Sequence, residues 1–463
     1  MLALWSSLIR TAPKVKRIET TRLGRSHHTL PLDNRESRAR WIPGNGRPSI
    51  ASAALASGFS YSAPRGFKMN ILSVNNTVDL YGASRCMERV FGRFAEDGHE
   101  VHAVLPQNGP LVDLLKAKGV HVHIHHGLSI FDRSQVGSFG ACLRFLVLFP
   151  VSVIQLAILT LRLHIDVIHA NTGVLPSSAV AALITGRPHV WHIRELFGEF
   201  GRLWKPYQRY ISLLSTAVVA ISRCTRDQFD PALGIKVQVI YDGLDETVAR
   251  VNPVHRDAFR STFPADKLLV GVVGRIKWHR KGQEVLVGAA SLLKERHPHV
   301  HYVLVGSTAP GNQEHETRLR ELISASGLEN EFTLVGDTQD PISVFAALDV
   351  AVVPSVQPEP FGCVVIEAMA AGTPVVGSRC GGIAEQIVDG VSGLLFPPGD
   401  AEALAKALDR LLNNPTLRKR MVEEGFHRVR SAFPLEGTYR HMASLFDQVA
   451  GPEFNASLRR NPL

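Results

Sequence analysis

The sequence has little cysteine, and what it has is scattered. Cys86, Cys142, Cys224, Cys363 and Cys380 are odd in number and form no C-x-x-C pair. That excludes a disulfide scaffold and a zinc ribbon, and it suits a reducing, cytoplasmic compartment. A Walker loop, a G-x-S-x-G elbow and an H-E-x-x-H pair are also missing, so common NTPase and hydrolase mechanisms have no residues to run on. Charge of one sign is absent from most of the chain. The formal charge is +9, and residues 1–68 hold all of it, with 12 lysines and arginines against 3 acids. A neutral body argues against counterion-release binding to nucleic acid.

The basic leader, residues 1–68, has no acid before Glu19 and no apolar run long enough to span a bilayer. Three readings stay open for it: a transit peptide, a disordered tail, or upstream sequence read through from a wrongly chosen start. No secretory signal with a cleavage site is visible. Met69-Asn-Ile-Leu-Ser-Val reads as an opening strand, so the folded, functional body is expected to begin at Met69.

From there, short β-branched runs alternate with amphipathic helices, the signature of parallel α/β structure. Strand signals at 71–74, 101–105, 120–124, 167–169, 190–193, 218–221 and 237–240 predict an amino-terminal Rossmann-like lobe over 69–245. Residues 246–266, with Pro253 and Pro264, read as a linker. A second cycle, with strands at 268–273, 300–305, 332–335, 350–353 and 374–376, predicts a carboxyl-terminal lobe over 267–436. A terminal helix and tail are expected over 437–463. The predicted fold class is therefore α/β, with two doubly wound Rossmann-like lobes facing a central cleft. Ligands in such sheets bind at the carboxyl ends of the strands.

Two segments invite other readings. Phe145–Leu163 is nearly continuous apolar sequence, broken by Pro150, Ser152, Gln155 and Thr160 and flanked by Arg144 and Arg162. Lying between strands of one sheet, it reads as a buried helix or one resting on a membrane surface rather than a span, with burial favoured. The run from His121 to His126 alternates imidazoles with apolar residues, but it contains no Cys, Asp or Glu. An exposed strand edge is preferred over a metal site.

The most informative string is Glu359-Pro-Phe-Gly-Cys-Val-Val-Ile-Glu367-Ala-Met-Ala-Ala-Gly-Thr-Pro-Val-Val376. It sets two carboxylates eight positions apart across a loop-to-helix junction. Glu367 falls about one and a half turns after Gly362. Amides of Gly362, Cys363 and Val364 at the helix start can face an anion such as a diphosphate. Two acids around such a cluster suit a sugar nucleotide: one for sugar hydroxyls, one for the ribose diol.

This string closely resembles the donor-binding motif of the retaining GT-B glycosyltransferases of family four. Gly274-Arg275 through Lys281-Gly282 is similar to that family's G-R-x(n)-K-G loop, whose Arg and Lys grip the donor diphosphate; Lys277 and Arg280 are rival cations here. Asp242-Gly-Leu-Asp245 resembles its N-G-V-D turn, with Asp242 in place of Asn. Gly381-Gly382-Ile-Ala-Glu385 and Asp389-Gly-Val-Ser-Gly393 match as well. In the amino lobe the likeness is looser. Tyr81-Gly82-Ala83 resembles the glycine-rich turn after the first strand, Asp166-Val-Ile-His169 a strand-end pattern, His192 an active-site histidine and Ser222 a cleft-closing position.

The resemblance implies transfer of a sugar, with retention, from a UDP- or GDP-sugar to a glycan or lipid-linked acceptor. It implies neither a required metal nor a cofactor. In that reading Glu359, Arg275, Lys281 and His192 serve catalysis, and Phe361, Gly362, Cys363, Val364, Glu367 and Gly82 hold the donor. The expected place is the cytoplasm, at the inner membrane face where peripheral contact is made. Alternatives are a nucleotide-sugar epimerase of similar fold and a non-catalytic sugar-nucleotide binder, which would be expected to lose Arg275, Lys281 or Glu359.

Overall fold

The structure, a computed structural model, describes residues 68–131, 139–245 and 249–451. Expectations for residues 1–67 and for the tail beyond residue 451 lie outside these. In the amino lobe, β1 (Asn70–Val74), β2 (Glu100–Leu105), β3 (His121–Ile124), β4 (Val167–Ala170), β5 (His189–Ile193), β6 (Ala217–Ala220) and β7 (Val237–Val239) form one sheet ordered β3-β2-β1-β4-β5-β6-β7. The carboxyl lobe repeats the plan with β8 (Leu268–Val273), β9 (Val300–Val305), β10 (Phe332–Gly336), β11 (Val350–Val353), β12 (Val375–Ser378) and β13 (Leu394–Phe396), ordered β10-β9-β8-β11-β12-β13. Every pairing is parallel.

The doubly wound fold class is thus as the sequence predicts, with the order reversing beside β1 and β8. Strands covered by helices on both faces have no solvent side to keep polar, so their runs read as uninterrupted Val, Ile and Leu. Strand β13 was not among the predicted strands. Three residues behind a glycine turn give too short a run to register. The histidine run forms β3, at the sheet edge, where His121 is exposed and His123 reaches His102 of β2 at 3.1 Å.

Two expectations need correction. The stretch read as linker contains the helix Pro253–Arg260, capped by Asn252. Asn252 also donates its amide to Ser343 Oγ at 2.8 Å, and Phe259 and Phe263 join the carboxyl-lobe core. Pro253 starts that helix rather than breaking one, because a first-turn proline sacrifices no intrahelical bond. The second correction concerns the apolar segment, which forms the helix Phe139–Arg162. Only one flank, with Val153, Leu156, Ala157 and Thr160, is buried against the lobe; Val147, Ile154 and Leu161 are more than half exposed. By length and composition the helix could cross a membrane. Its docked flank and the Ser152–Ser177 hydrogen bond of 2.8 Å hold it against the next helix, Pro176–Thr185.

The terminal helix Leu435–Ala450 leaves the carboxyl lobe and packs on the amino lobe. Tyr439, Met442 and Phe446 join the core built on Met69, Ile71, Phe91 and Phe94. Where the chain returns, Leu244 bridges Pro434, so both interlobe crossings run side by side.

Candidate active site

The cleft site is assembled from loops at the carboxyl ends of β8 and β11. After β8 the chain turns through Arg275 to Lys281, and Gly282 closes the turn with φ +72°. A Cβ there would sit 2.0 Å from the carbonyl oxygen of Pro354, so only glycine lets this loop lie against the one after β11. That closeness puts Lys281 Nζ 2.9 Å from Glu359 Oε1, which also accepts from Ser355 Oγ at 2.9 Å. Burial pushes the Glu359 carboxyl up, but Lys281, Ser355 and Arg280 outweigh it and hold it below the usual range. The acid is therefore ionised and locked in one place. A second glycine fixes its backbone: a Cβ on Gly381, at φ +56°, would meet the Glu359 carbonyl oxygen at 2.3 Å.

Beyond Glu359 the loop enters the helix Val364–Ala370. Its first backbone bonds run from Val365 to Gly362 and from Glu367 to Cys363, so the amides of Gly362, Cys363 and Val364 precede the ladder. Gly82, facing this turn from the amino lobe, leaves the Cys363 sulfur 3.9 Å from where its Cβ would be. Phe361 differs from expectation. Its ring is 1% exposed and packs on Tyr241 and Phe433, so it anchors the loop in the core and does not line the donor cradle.

Arg275 lies at the cleft under the amino lobe, its guanidinium 3.8 Å from the Tyr81 ring centroid and 3.8 Å from Asp79. The rival Arg280 is occupied by Glu199 at 3.2 Å. Glu367, read as a ribose ligand, is buried and pairs with Arg89 of the amino lobe at 3.5 Å. His192, at the end of β5, is buried, and its Nδ1 meets His169 Nε2 at 3.3 Å; His169 Nδ1 meets Ser73 Oγ at 3.0 Å. The structure thus brings Arg275, Lys281, Glu359, Gly362, Cys363, Val364 and Gly82 around one cleft, and sets His192 in the amino-lobe wall.

Several contacts here join residues that the sequence marks only one at a time. Arg194 Nη1 donates to Asp242 Oδ2 at 2.6 Å in a fully buried pair. Burial opposes the charge on Arg194, yet Asp242 holds it more firmly than usual. Ser222 donates its hydroxyl to the Pro360 carbonyl, and Glu385 accepts from the Cys224 amide at 2.8 Å and the Tyr241 hydroxyl at 2.8 Å. These contacts tie the donor loop to the amino lobe.

The buried titratable groups give stability a worked pH dependence. Burial drives His189 down to about 3 and pushes His169 and His192 well below the ordinary imidazole value. Each adds stability that is present above pH 6.5 and lost as pH falls. Glu195 is opposite in sign: burial raises it to about 7, so its contribution is lost as pH rises from 4.5 toward 7. Urea unfolding between pH 7 and pH 5 should show falling stability, with a steeper fall in Glu195→Gln. An equal or shallower slope in that variant refutes the assignment.

The family profile described as "Glycosyl transferases group 1" matches residues 254–428, and "Glycosyltransferase Family 4" matches residues 81–248. A D-inositol 3-phosphate glycosyltransferase of Corynebacterium urealyticum is 32% identical over 203 residues, 43% of this chain and 47% of that protein. The chain thus spans about half the length of such curated relatives. The lipopolysaccharide core biosynthesis mannosyltransferase LpcC of Rhizobium leguminosarum bv. viciae is 28% identical, over 53% of this chain and 68% of that one. Among solved structures, Anabaena Alr3699/HepE in complex with UDP and glucose superposes with TM-score 0.70 at 24% identity, covering 82% of this chain and 99% of that one. WaaG, a glycosyltransferase involved in lipopolysaccharide biosynthesis, gives TM-score 0.60 at 18% identity, covering 82% and 100%. At these identities the superpositions establish the two-lobed GT-B fold.

Proposed function

We propose that this chain, which belongs to the group 1 glycosyl transferases of glycosyltransferase family 4, moves a hexosyl unit from a UDP- or GDP-sugar to an acceptor hydroxyl with retention of configuration. The observation that carries the reading is the Lys281–Glu359 pair, locked between two glycine-dependent loops just ahead of the helix Val364–Ala370. Lys281 and Arg275 neutralise charge on the departing diphosphate. Glu359 holds the donor sugar through its hydroxyls, and Glu367, paired with Arg89, is assigned to the ribose diol. His192, kept neutral by burial, borders the reacting carbon as a hydrogen-bonding wall. Attack comes from the face the diphosphate leaves, and its oxygen takes the acceptor proton. This chemistry needs no metal, because cations and amides already face the phosphates.

Thermal unfolding in the presence of UDP-, GDP- and ADP-sugars tests the donor. A ligand at a hundredfold excess over its Kd should stabilise the chain by about 2.7 kcal/mol. A midpoint unmoved by every one of these nucleotide sugars defeats the reading.

For the acceptor we infer a lipid-linked glycan at the cytoplasmic membrane face, extended in polysaccharide or glycolipid assembly. The support is the helix Phe139–Arg162, whose exposed face carries Leu143, Val147, Val151, Ile154, Ile158 and Leu161 beside exposed Arg144 and Arg162, with no acid along its length. An apolar face with basic flanks matches the headgroup region of an anionic bilayer. Among the described residues no two cysteines form a disulfide, in keeping with a reducing compartment. Co-sedimentation with liposomes should rise with anionic lipid, fall with salt and weaken in Ile154→Ser/Leu161→Ser, whose side chains face outward. Protein left in the supernatant at every lipid composition makes a soluble acceptor the working assumption.

A further inference from the structure

The two lobes also meet through sulfur. Cys86, in the second turn of the helix Gly82–Glu96, and Cys363, just ahead of the helix Val364–Ala370, hold their Sγ atoms 3.7 Å apart. A carboxylate oxygen of Asp242, from the interlobe crossing, lies within 4.8 Å of both sulfurs. We propose that Cys86, Cys363 and Asp242 form a binding site for a soft d10 cation of the zinc type, which ties the amino lobe to the carboxyl lobe beneath the donor loop. The site uses the Cys363 sulfur, whereas the donor cradle uses its backbone amide, so metal binding is read separately from transfer.

The spacing fits a tetrahedral dithiolate. Two sulfurs at roughly 2.3 Å from one zinc ion stand about 3.8 Å apart, whereas a disulfide would hold them at about 2.05 Å. A neutral S–H···S contact accounts for that spacing as well, but not for Asp242. Its Oδ2 accepts from Arg194, while Oδ1 has no hydrogen-bond partner among the described residues although Asp242 is 2% exposed. A buried carboxylate oxygen left so is costly, and a cation satisfies it. Tetrahedral bonding would bring that oxygen to about 3.5 Å from each sulfur, against the 4.8 Å within which these atoms now lie.

The ligand set selects the ion. Two sulfurs disfavour magnesium and calcium, which take oxygen, and favour zinc or copper(I). Charge also balances for zinc. On binding, each thiol releases its proton to solvent, and two thiolates with Asp242 bring three negative charges, against two on zinc and one on the buried Arg194. Three protein ligands leave a fourth tetrahedral position for water. Because each thiol gives up its proton on binding, binding tightens as pH rises.

The test is metal content, read without donor or turnover, so its failure leaves the transfer reading standing and the reverse is equally true. The full chain, equilibrated with zinc and dialysed against zinc-free buffer, should retain about one zinc per chain by mass spectrometry. Cys86→Ser and Cys363→Ser should each lose that equivalent while Cys142→Ser and Cys224→Ser keep it. Cobalt(II) in the unmodified chain should give thiolate-to-cobalt charge-transfer absorption and tetrahedral d–d bands, a readout independent of whether any variant folds. Zinc retention equal to that of Cys86→Ser/Cys363→Ser, or a cobalt spectrum without thiolate bands, overturns the proposal.

Discussion

Lys281→Ala, Arg275→Ala and Glu359→Gln are each expected to lower kcat by about 10²-fold or more, with the thermal transition retained. The reason is the timing of charge. As the glycosyl bond breaks, negative charge grows on the leaving diphosphate, and fixed cations help in proportion to that growth. Lys281 is fixed from one side by Glu359 at 2.9 Å, and Arg275 by the Tyr81 face. Glu359→Gln removes the partner that orients Lys281 and the acceptor that holds the donor sugar. Its effect should therefore fall on kcat more than on KM. The Lys281→Ala variant leaves Glu359 buried without its hydrogen-bonded cation, so a few degrees of lost thermal stability should accompany its loss of turnover. Steady-state rates within a few-fold of the parent in all three variants would remove these residues from the mechanism.

The second large effect is on stability. Arg194→Ala or Asp242→Ala should cost about 3–5 kcal/mol, because each strands the opposite charge in a site where both partners are at most 4% exposed at the side chain. The joint replacement Arg194→Met/Asp242→Leu should cost much less than the two single losses added together. Urea unfolding of the four chains closes the double-mutant cycle. Single losses below about 1 kcal/mol would show that water already reaches the pair.

The sheets could be read from the chain because each strand is a local apolar run and each crossover helix a local periodicity. The donor loop could be read because its acids, glycines and helix start are contiguous. What escaped was long in sequence and short in space. Arg89 and Glu367 stand 278 positions apart, Cys86 and Cys363 277, and nothing local marks either pair. Phe361 misled for a different reason: a ring inside a ligand motif looks the same whether it faces the ligand or props the loop, and Tyr241 and Phe433 decide for the second. The apolar helix Phe139–Arg162 misled in the opposite sense. Its composition is that of a core helix, and only its docking along one flank reveals the uncovered face.

The return of the helix Leu435–Ala450 to the amino lobe has a consequence for biosynthesis. Phe94 packs on Phe446 at a centroid distance of 5.4 Å, so the first lobe to leave the ribosome lacks part of its own core until the last helix is made. Roughly 350 residues separate the two rings, a delay on the order of twenty to seventy seconds at ordinary translation rates. During that interval Met69, Phe91 and Phe94 present an apolar strip to solvent. The amino lobe therefore completes its core only once the helix Leu435–Ala450 has emerged, together with the carboxyl lobe rather than ahead of it.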